Sequence, residues 1–175
     1  MQTLADHVVR MARAGVPPLL AGTTGEGLHL AHGERASLVR EARIALDTSG
    51  FFDVPIIVGT GGGSTRETVI LCEEAAAAGA DAVIVITPGY FAGVLANDRR
   101  ALKTFFVEVA EKSALPVLIY NCWSTAIDRS IHGLIDVDAI TVPGASAGID
   151  LDSDLIVDLA ATCPNLCGVK LTCVL

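Results

Sequence analysis

Short apolar runs and longer amphipathic stretches alternate along this chain. Thr3–Ala14 carries Leu4, Val8, Met11 and Ala12 at helical spacing, and Gly15 with Pro17-Pro18 stops it. Leu19–Gly22 reads as a short strand that feeds the loop Thr23-Thr24-Gly25-Glu26-Gly27. His32–Asp47 predicts an amphipathic helix with Leu38, Val39, Ala42, Ile44 and Ala45 among its Glu and Arg residues. Val54–Val58 is a β-branched strand led by proline, and Gly59–Gly63 is a loop. Ser64 and Glu67 have the capping-box spacing and open a helix through Ala78, which Gly79 ends. Ala82–Thr87 predicts a buried strand halted by Pro88-Gly89. Asp98–Ser113 then predicts a helix, Val117–Tyr120 a strand, Leu151–Thr162 a helix and Cys167–Thr172 a last strand.

Five strands alternating with helices imply right-handed βαβ units and a parallel sheet. An open doubly wound sheet and a (β/α)8 barrel both accommodate repeating units of about 30 residues. Gly59-Thr60-Gly61-Gly62-Gly63-Ser64 puts serine where a dinucleotide-binding turn has its third glycine, and no Walker loop occurs. A nucleotide site is therefore not expected.

Composition sharpens the picture. The chain has 175 residues, of which 51% are hydrophobic and only 5% aromatic, enough for a single domain whose strands are covered on both faces. The net charge is −8, so nucleic acid and anionic membrane surfaces are poor partners. An anionic substrate would need positive potential supplied locally. Cys72, Cys122, Cys163, Cys167 and Cys173 have neither disulfide nor zinc spacing and read as buried free thiols. The 175 residues carry no leader pattern and no apolar run long enough to span a bilayer. The expected location is cytoplasmic, or mitochondrial if the start of the chain is incomplete.

One residue breaks the pattern. Lys170 sits inside the apolar run Leu166–Leu175, whereas Lys103 and Lys112 lie in a charged helical stretch. A lysine buried without a partner gives up its proton, and a free amine attacks ketones to form a Schiff base. An edge-strand lysine with a packed stem and its head in water fits the same run, and better if the run is read by itself. Thr23 and Thr24 similarly fit a turn-capping role, Tyr90 and Tyr120 fit ordinary half-buried tyrosines, and His29 and His32 fit a helix start or a surface.

Four stretches, taken in order, give these residues a common context. Gly22-Thr23-Thr24-Gly25-Glu26 follows the first strand, Pro88-Gly89-Tyr90-Phe91 the third, Tyr120-Asn121 ends the fourth, and Gly168-Val169-Lys170 lies in the fifth. Together they resemble the dihydrodipicolinate synthase / N-acetylneuraminate lyase family of pyruvate-dependent class I aldolases. The nearest look is to the fungal 4-hydroxy-2-oxoglutarate aldolase-like members. The resemblance implies a (β/α)8 TIM barrel with Lys170 forming the Schiff base, Tyr120 relaying protons and Thr23 taking part in that relay. It implies that Thr24 and Gly25 hold the substrate carboxylate, and that Tyr90 enters a neighbouring subunit's site. The implied substrate is a small 2-oxo acid, with pyruvate as product or co-substrate, in a homo-oligomer (tetramer or dimer). No metal or other cofactor is implied, because the imine does the work of a Lewis acid.

Against that pattern the chain supplies strands two to six and lacks strands one, seven and eight. Tyr120-Asn121 should also run almost directly into Pro143-Gly144, but Cys122–Val142 intervenes. The expectation is one partial barrel over 1–175, with 122–142 an insertion or a gene-model artefact. The family's dihydrodipicolinate synthases carry an arginine soon after the tyrosine, and none follows the join here. A 4-hydroxy-2-oxo acid aldolase is thus the first reading. Dihydrodipicolinate synthase and a truncated, non-catalytic paralogue that only binds or associates are the alternatives. Sequencing the spliced transcript is expected to give Asn121 joined in frame to Pro143; a transcript retaining the intervening codons would establish an insertion.

Overall fold

The computed structural model describes residues 2–121 and 148–171. The segment 122–142, about which the sequence raises a question, lies outside them, as do Cys122 and Cys173. Among the described residues, helices α1 (Gln2–Arg13), α2 (His32–Thr48), α3 (Thr65–Ala78), α4 (Ala92–Leu95), α5 (Arg99–Lys112) and α6 (Ser153–Thr162) are threaded between strands. The strands are β1 (Leu19–Leu20), β2 (Ile57–Gly59), β3 (Ala82–Ile86), β4 (Val117–Asn121) and β5 (Leu166–Leu171). All neighbouring pairs are parallel, and the order is β1-β2-β3-β4-β5. A doubly wound sheet reverses its direction of growth and puts helices on both faces. Here growth never reverses, so right-handed crossovers put the helices on one face, as in an arc of a barrel.

Burial follows that asymmetry. Register partners share a face, and residues two apart along a strand share it too. Leu20, Val58, Val83, Val85, Val117 and Ile119 are buried under the helices. Ile57, Ala82, Ile86, Leu118 and Tyr120 alternate with them and are only half-buried on the open face. The core forms on the helix side, from Val8 and Ala12 of α1 through Leu46, Cys72 and Phe106 to Leu155 and Leu159 of α6.

Local chemistry sets the boundaries. Asp98 and Asp152 cap α5 and α6 by accepting from Ala101 N (2.9 Å) and Leu155 N (2.7 Å). Gly79 ends α3 at φ 98°. β2 starts at Ile57 rather than Val54 because Pro55 has no N–H, and Ile56 N donates to the Asp81 carboxylate (2.7 Å) instead of to a strand. β1 ends at Leu20 because Ala21 turns to φ 51°. The one-turn helix α4 is too short to leave a period in the sequence. In α2 the buried stripe is Arg35, Val39, Ala42 and Leu46, while Ile44, expected on the apolar side, is 58% exposed. At the start of β5, Asn165 Nδ2 donates to the carbonyls of Ala110 (2.9 Å), Ser113 (3.0 Å) and Leu115 (3.1 Å) and so anchors the strand to the end of α5. Among the described cysteines Cys72 and Cys163 are buried, but Cys167 is exposed. It is the extra residue where the β4–β5 register shifts between Val117 and Leu118.

These two assignments separate in a denaturation experiment. Phe106→Ala is expected to cost about 3–5 kcal/mol, because the ring is wholly buried. Ile44→Ser is expected to stay within about 0.5 kcal/mol of wild type. Urea midpoints at constant slope check both.

Candidate active site

Parallel strands end at one edge of the sheet, so the loops that follow them gather there. Thr23, Thr24 and Gly25 follow β1, Tyr90 follows β3, Tyr120 is the penultimate residue of β4 and Lys170 that of β5. Tyr120 pairs in register with Lys170 on one side and Ile86 on the other. Equal register in neighbouring parallel strands points both side chains to the open face. The Lys170 Nζ accordingly stands 3.7 Å from the centre of the Tyr120 ring.

Of the two readings that the sequence leaves open for Lys170, the edge-strand lysine with its head in water is the one the described residues fit. Among the described residues β5 pairs with a strand on one side only, and Lys170 is exposed. The other two lysines are engaged elsewhere, Lys103 with Asp158 (2.7 Å) and Lys112 with Glu108 (3.3 Å).

The threonine loop lies at the opposite edge, on β1, four strand spacings from β5. Along a flat sheet that is about 19 Å, which only curvature can close. Thr23 and Thr24 are exposed, and their hydroxyls make no hydrogen bonds among the described residues. The loop is closed by its backbone: Glu26 N donates to Thr23 O (3.1 Å) and Gly27 N to Gly22 O (3.0 Å). Tyr90 projects from the β3 loop, 85% exposed, with Phe91 edge-on at 4.8 Å. The structure thus brings Tyr120 and Lys170 together, with Thr23, Thr24 and Gly25 after the strand at the other end of the order and Tyr90 in the loop after β3. A cavity of about 280 Å³ lined by Pro88, Phe91, Leu95, Leu102 and Phe105 shares no residue with Tyr120 or Lys170.

Three features have no counterpart in the sequence expectations. Ala21 is a non-glycine residue at positive φ, and its carbonyl passes between two glycines: a Cβ at Gly27 or at Gly59 would come within 2.1 Å of that oxygen. Beneath them lies Arg35, 5% exposed, donating from Nη2 to Gly27 O (2.6 Å) and from Nη1 to Gly59 O. Burial pulls its guanidinium below the usual arginine range, and Glu74 and Glu67 partly offset that. The clue in the sequence is spacing, since Arg35 begins the i, i+4, i+7, i+11 stripe completed by Val39, Ala42 and Leu46. Finally, Asn121 Nδ2 donates to Asp150 Oδ1 (2.8 Å) and to Leu151 O (3.0 Å), and its Oδ1 accepts from Leu151 N (3.0 Å). The residue after Tyr120 therefore fixes the chain that re-enters ahead of α6.

Beside the threonine loop, His32 opens α2 as a surface helix start. Nε2 meets Glu67 (2.8 Å) and Nδ1 meets Glu74 (2.9 Å). Ser64 does cap α3, accepting from Glu67 N (3.2 Å), but the Glu67 carboxylate turns to His32 instead of completing the capping box. The hydrogen bond to Glu74, then that to Glu67, raises the His32 pKa above 6.5. Among the described residues no group of three or more His, Cys, Asp or Glu side chains converges as a metal site would. No described helix is long and apolar enough to cross a membrane.

Comparison with known proteins gives this geometry a family context. The sequence pattern of the Dihydrodipicolinate synthetase family matches residues 1–132. A curated protein of Emericella nidulans, "Probable 4-hydroxy-2-oxoglutarate aldolase, mitochondrial", is 41% identical over 172 residues, 98% of this chain and 48% of that protein. The L-threo-3-deoxy-hexylosonate aldolase of Aspergillus niger is 38% identical over 98% of this chain and 45% of that protein. A crystal structure of a dihydrodipicolinate synthase family protein from Coccidioides immitis superposes with a TM-score of 0.76 at 32% identity, covering 99% of this chain and 46% of the other. The chain spans about half the length of the curated relatives it matches.

A group whose folded pKa is raised stabilises the protein fully below its unfolded value, and that contribution is lost as pH rises through the folded value. The His32 contacts are therefore expected to stabilise most below pH 6.5 and to fade above the raised folded value. The melting-temperature difference between wild type and His32→Gln, followed over about pH 5–9, should shrink as pH rises.

Proposed function

The chain belongs to the dihydrodipicolinate synthetase family, and on that premise we propose that it carries the Schiff-base half of a class I aldolase acting on a 2-oxo acid. The observation that carries this reading is the pairing of Lys170 with Tyr120, in register and 3.7 Å apart at the C-terminal edge of the sheet. In the proposed chemistry the unprotonated Lys170 amine adds to the C2 carbonyl, and loss of water gives an iminium. Cleavage of the C3–C4 bond sends its electron pair into the iminium, leaving an enamine. The proton of the 4-hydroxyl passes to Tyr120 as the aldehyde leaves. The enamine is then protonated at C3, and water releases pyruvate and frees the lysine.

The name of the Emericella relative supports a 4-hydroxy-2-oxoglutarate-like substrate, and cleavage would then give pyruvate and a glyoxylate-type aldehyde. The same name favours the mitochondrial over the cytoplasmic location. Thr23, Thr24 and Gly25 are proposed to bind the carboxylate once the sheet is curved as strands two to six of a closed barrel, and Tyr90 to reach a neighbouring subunit of a homo-oligomer.

A second reading has its own observation. Lys170 is exposed, which suits a chain that binds a keto acid or associates with fuller subunits without turnover. Borohydride reduction with pyruvate, followed by peptide mapping, decides between them. The expected result is an adduct on Lys170 that is absent from Lys170→Ala. Tyr120→Phe should still be trapped but turn over about 10²-fold or more slowly. Folded protein that gives no adduct would leave only the binding reading.

A further inference from the structure

Arg35 occupies the first slot of the buried α2 stripe, a place that spacing alone would give to an apolar side chain. Instead a charge is buried there, and no carboxylate forms an ion pair with it among the described residues. Glu67 and Glu74 lie near enough to favour the charge, yet both hydrogen-bond His32. The partners of Arg35 are backbone oxygens, Gly27 O and Gly59 O. These belong to the two glycines that enclose the Ala21 carbonyl, at the point where Ala21 takes positive φ and the chain turns into Gly22-Thr23-Thr24-Gly25. Arg35 Nε is buried with no hydrogen-bond partner, so the two Nη contacts alone do not account for the whole guanidinium. A planar fork can bridge two fixed carbonyls, whereas a lysine's single nitrogen reaches them as a point charge.

We propose that Arg35 is a positioning residue for the substrate carboxylate: it clamps the β1 and β2 ends so that the Thr23-Thr24-Gly25 loop is set to receive an anion, and its buried charge supplies the positive potential behind that loop. This rests on the reading of the loop as the carboxylate site. A chain of net charge −8 repels an acid at long range, so the attraction has to come from a local, desolvated charge. Arg35 touches no substrate atom and acts through the loop.

The test compares an acid with its neutral ester on the whole chain. Binding of pyruvate and of methyl pyruvate is measured by saturation-transfer NMR on wild type, Arg35→Met and Arg35→Lys, with thermal unfolding as a check on folding. Wild type is expected to prefer pyruvate at least tenfold. Arg35→Met, which keeps the packed stem, should lose that preference, chiefly through weaker pyruvate binding. Arg35→Lys, which keeps the charge but not the fork, should hold part of it. A general packing defect would weaken both ligands equally and leave their ratio intact, and that result overturns the proposal. Equal binding of the two ligands by wild type overturns it as well, even if neither variant folds. Borohydride trapping on the same samples separates the two ideas: an Arg35-dependent preference without a Lys170 adduct sustains this inference while the Schiff-base reading fails.

Discussion

Everything in this molecule depends on one constraint of chain geometry, the sequential pairing of five parallel strands. Each crossover must be right-handed, so each helix falls on the same side of the sheet. The valines of β2, β3 and β4 are sealed on that side, and on the other Ile57, Ala82, Ile86, Leu118 and Tyr120 are half-buried around a buried Ile84. Tyr120 and Lys170 lie on the open side because they occupy the same level of adjacent strands. Had the order reversed, as in a doubly wound sheet, that face would carry helices, and a lysine there would need a buried partner.

The two ends of the sheet have different tasks. At the N-terminal edge, polar side chains organise strand starts: Arg43 bonds the Asp81 carboxylate, and Asp81 receives Ile56 N. Asn165 collects three carbonyls at the start of β5. At the C-terminal edge, Arg35, Asn121 and the two close-packed glycines hold backbone, and Lys170 stands over the Tyr120 ring on the open face. Side-chain bonds thus organise both edges, and the C-terminal edge also carries the non-glycine residue Ala21 at positive φ.

That division bears on how a chain with about half its relatives' length can hold a recognisable site. Lys170 and Tyr120 need only the β4–β5 pair, which is local and anchored by Asn165 and Asn121. The threonine loop, proposed to receive the carboxylate, rests on the β1–β2 pair and Arg35. Bringing the two pairs face to face requires curvature of the sheet, a property of the whole barrel and not of either pair. The proposed chemistry therefore has two preassembled halves and one global requirement.

The sequence by itself determined the alternation of strands and helices, most helix limits and the family. Those signals are local: capping by Asp98, Asp152 and Gly79, proline stops, and motifs whose residues adjoin one another. Only the tertiary structure decided which apolar residues are covered. Ile44 has helical spacing but faces solvent, and Lys170 sits in an apolar run but on an edge, because burial depends on what a distant element places opposite. The same holds for Glu67, whose capping-box position is correct while its carboxylate answers to His32, a residue on another helix. Arg35 is the plainest case. Its spacing hints at burial, but the reason for burying a charge, one carbonyl at the end of β2 and one in the turn after β1 converging on one guanidinium, exists only once β1, β2 and α2 are packed together.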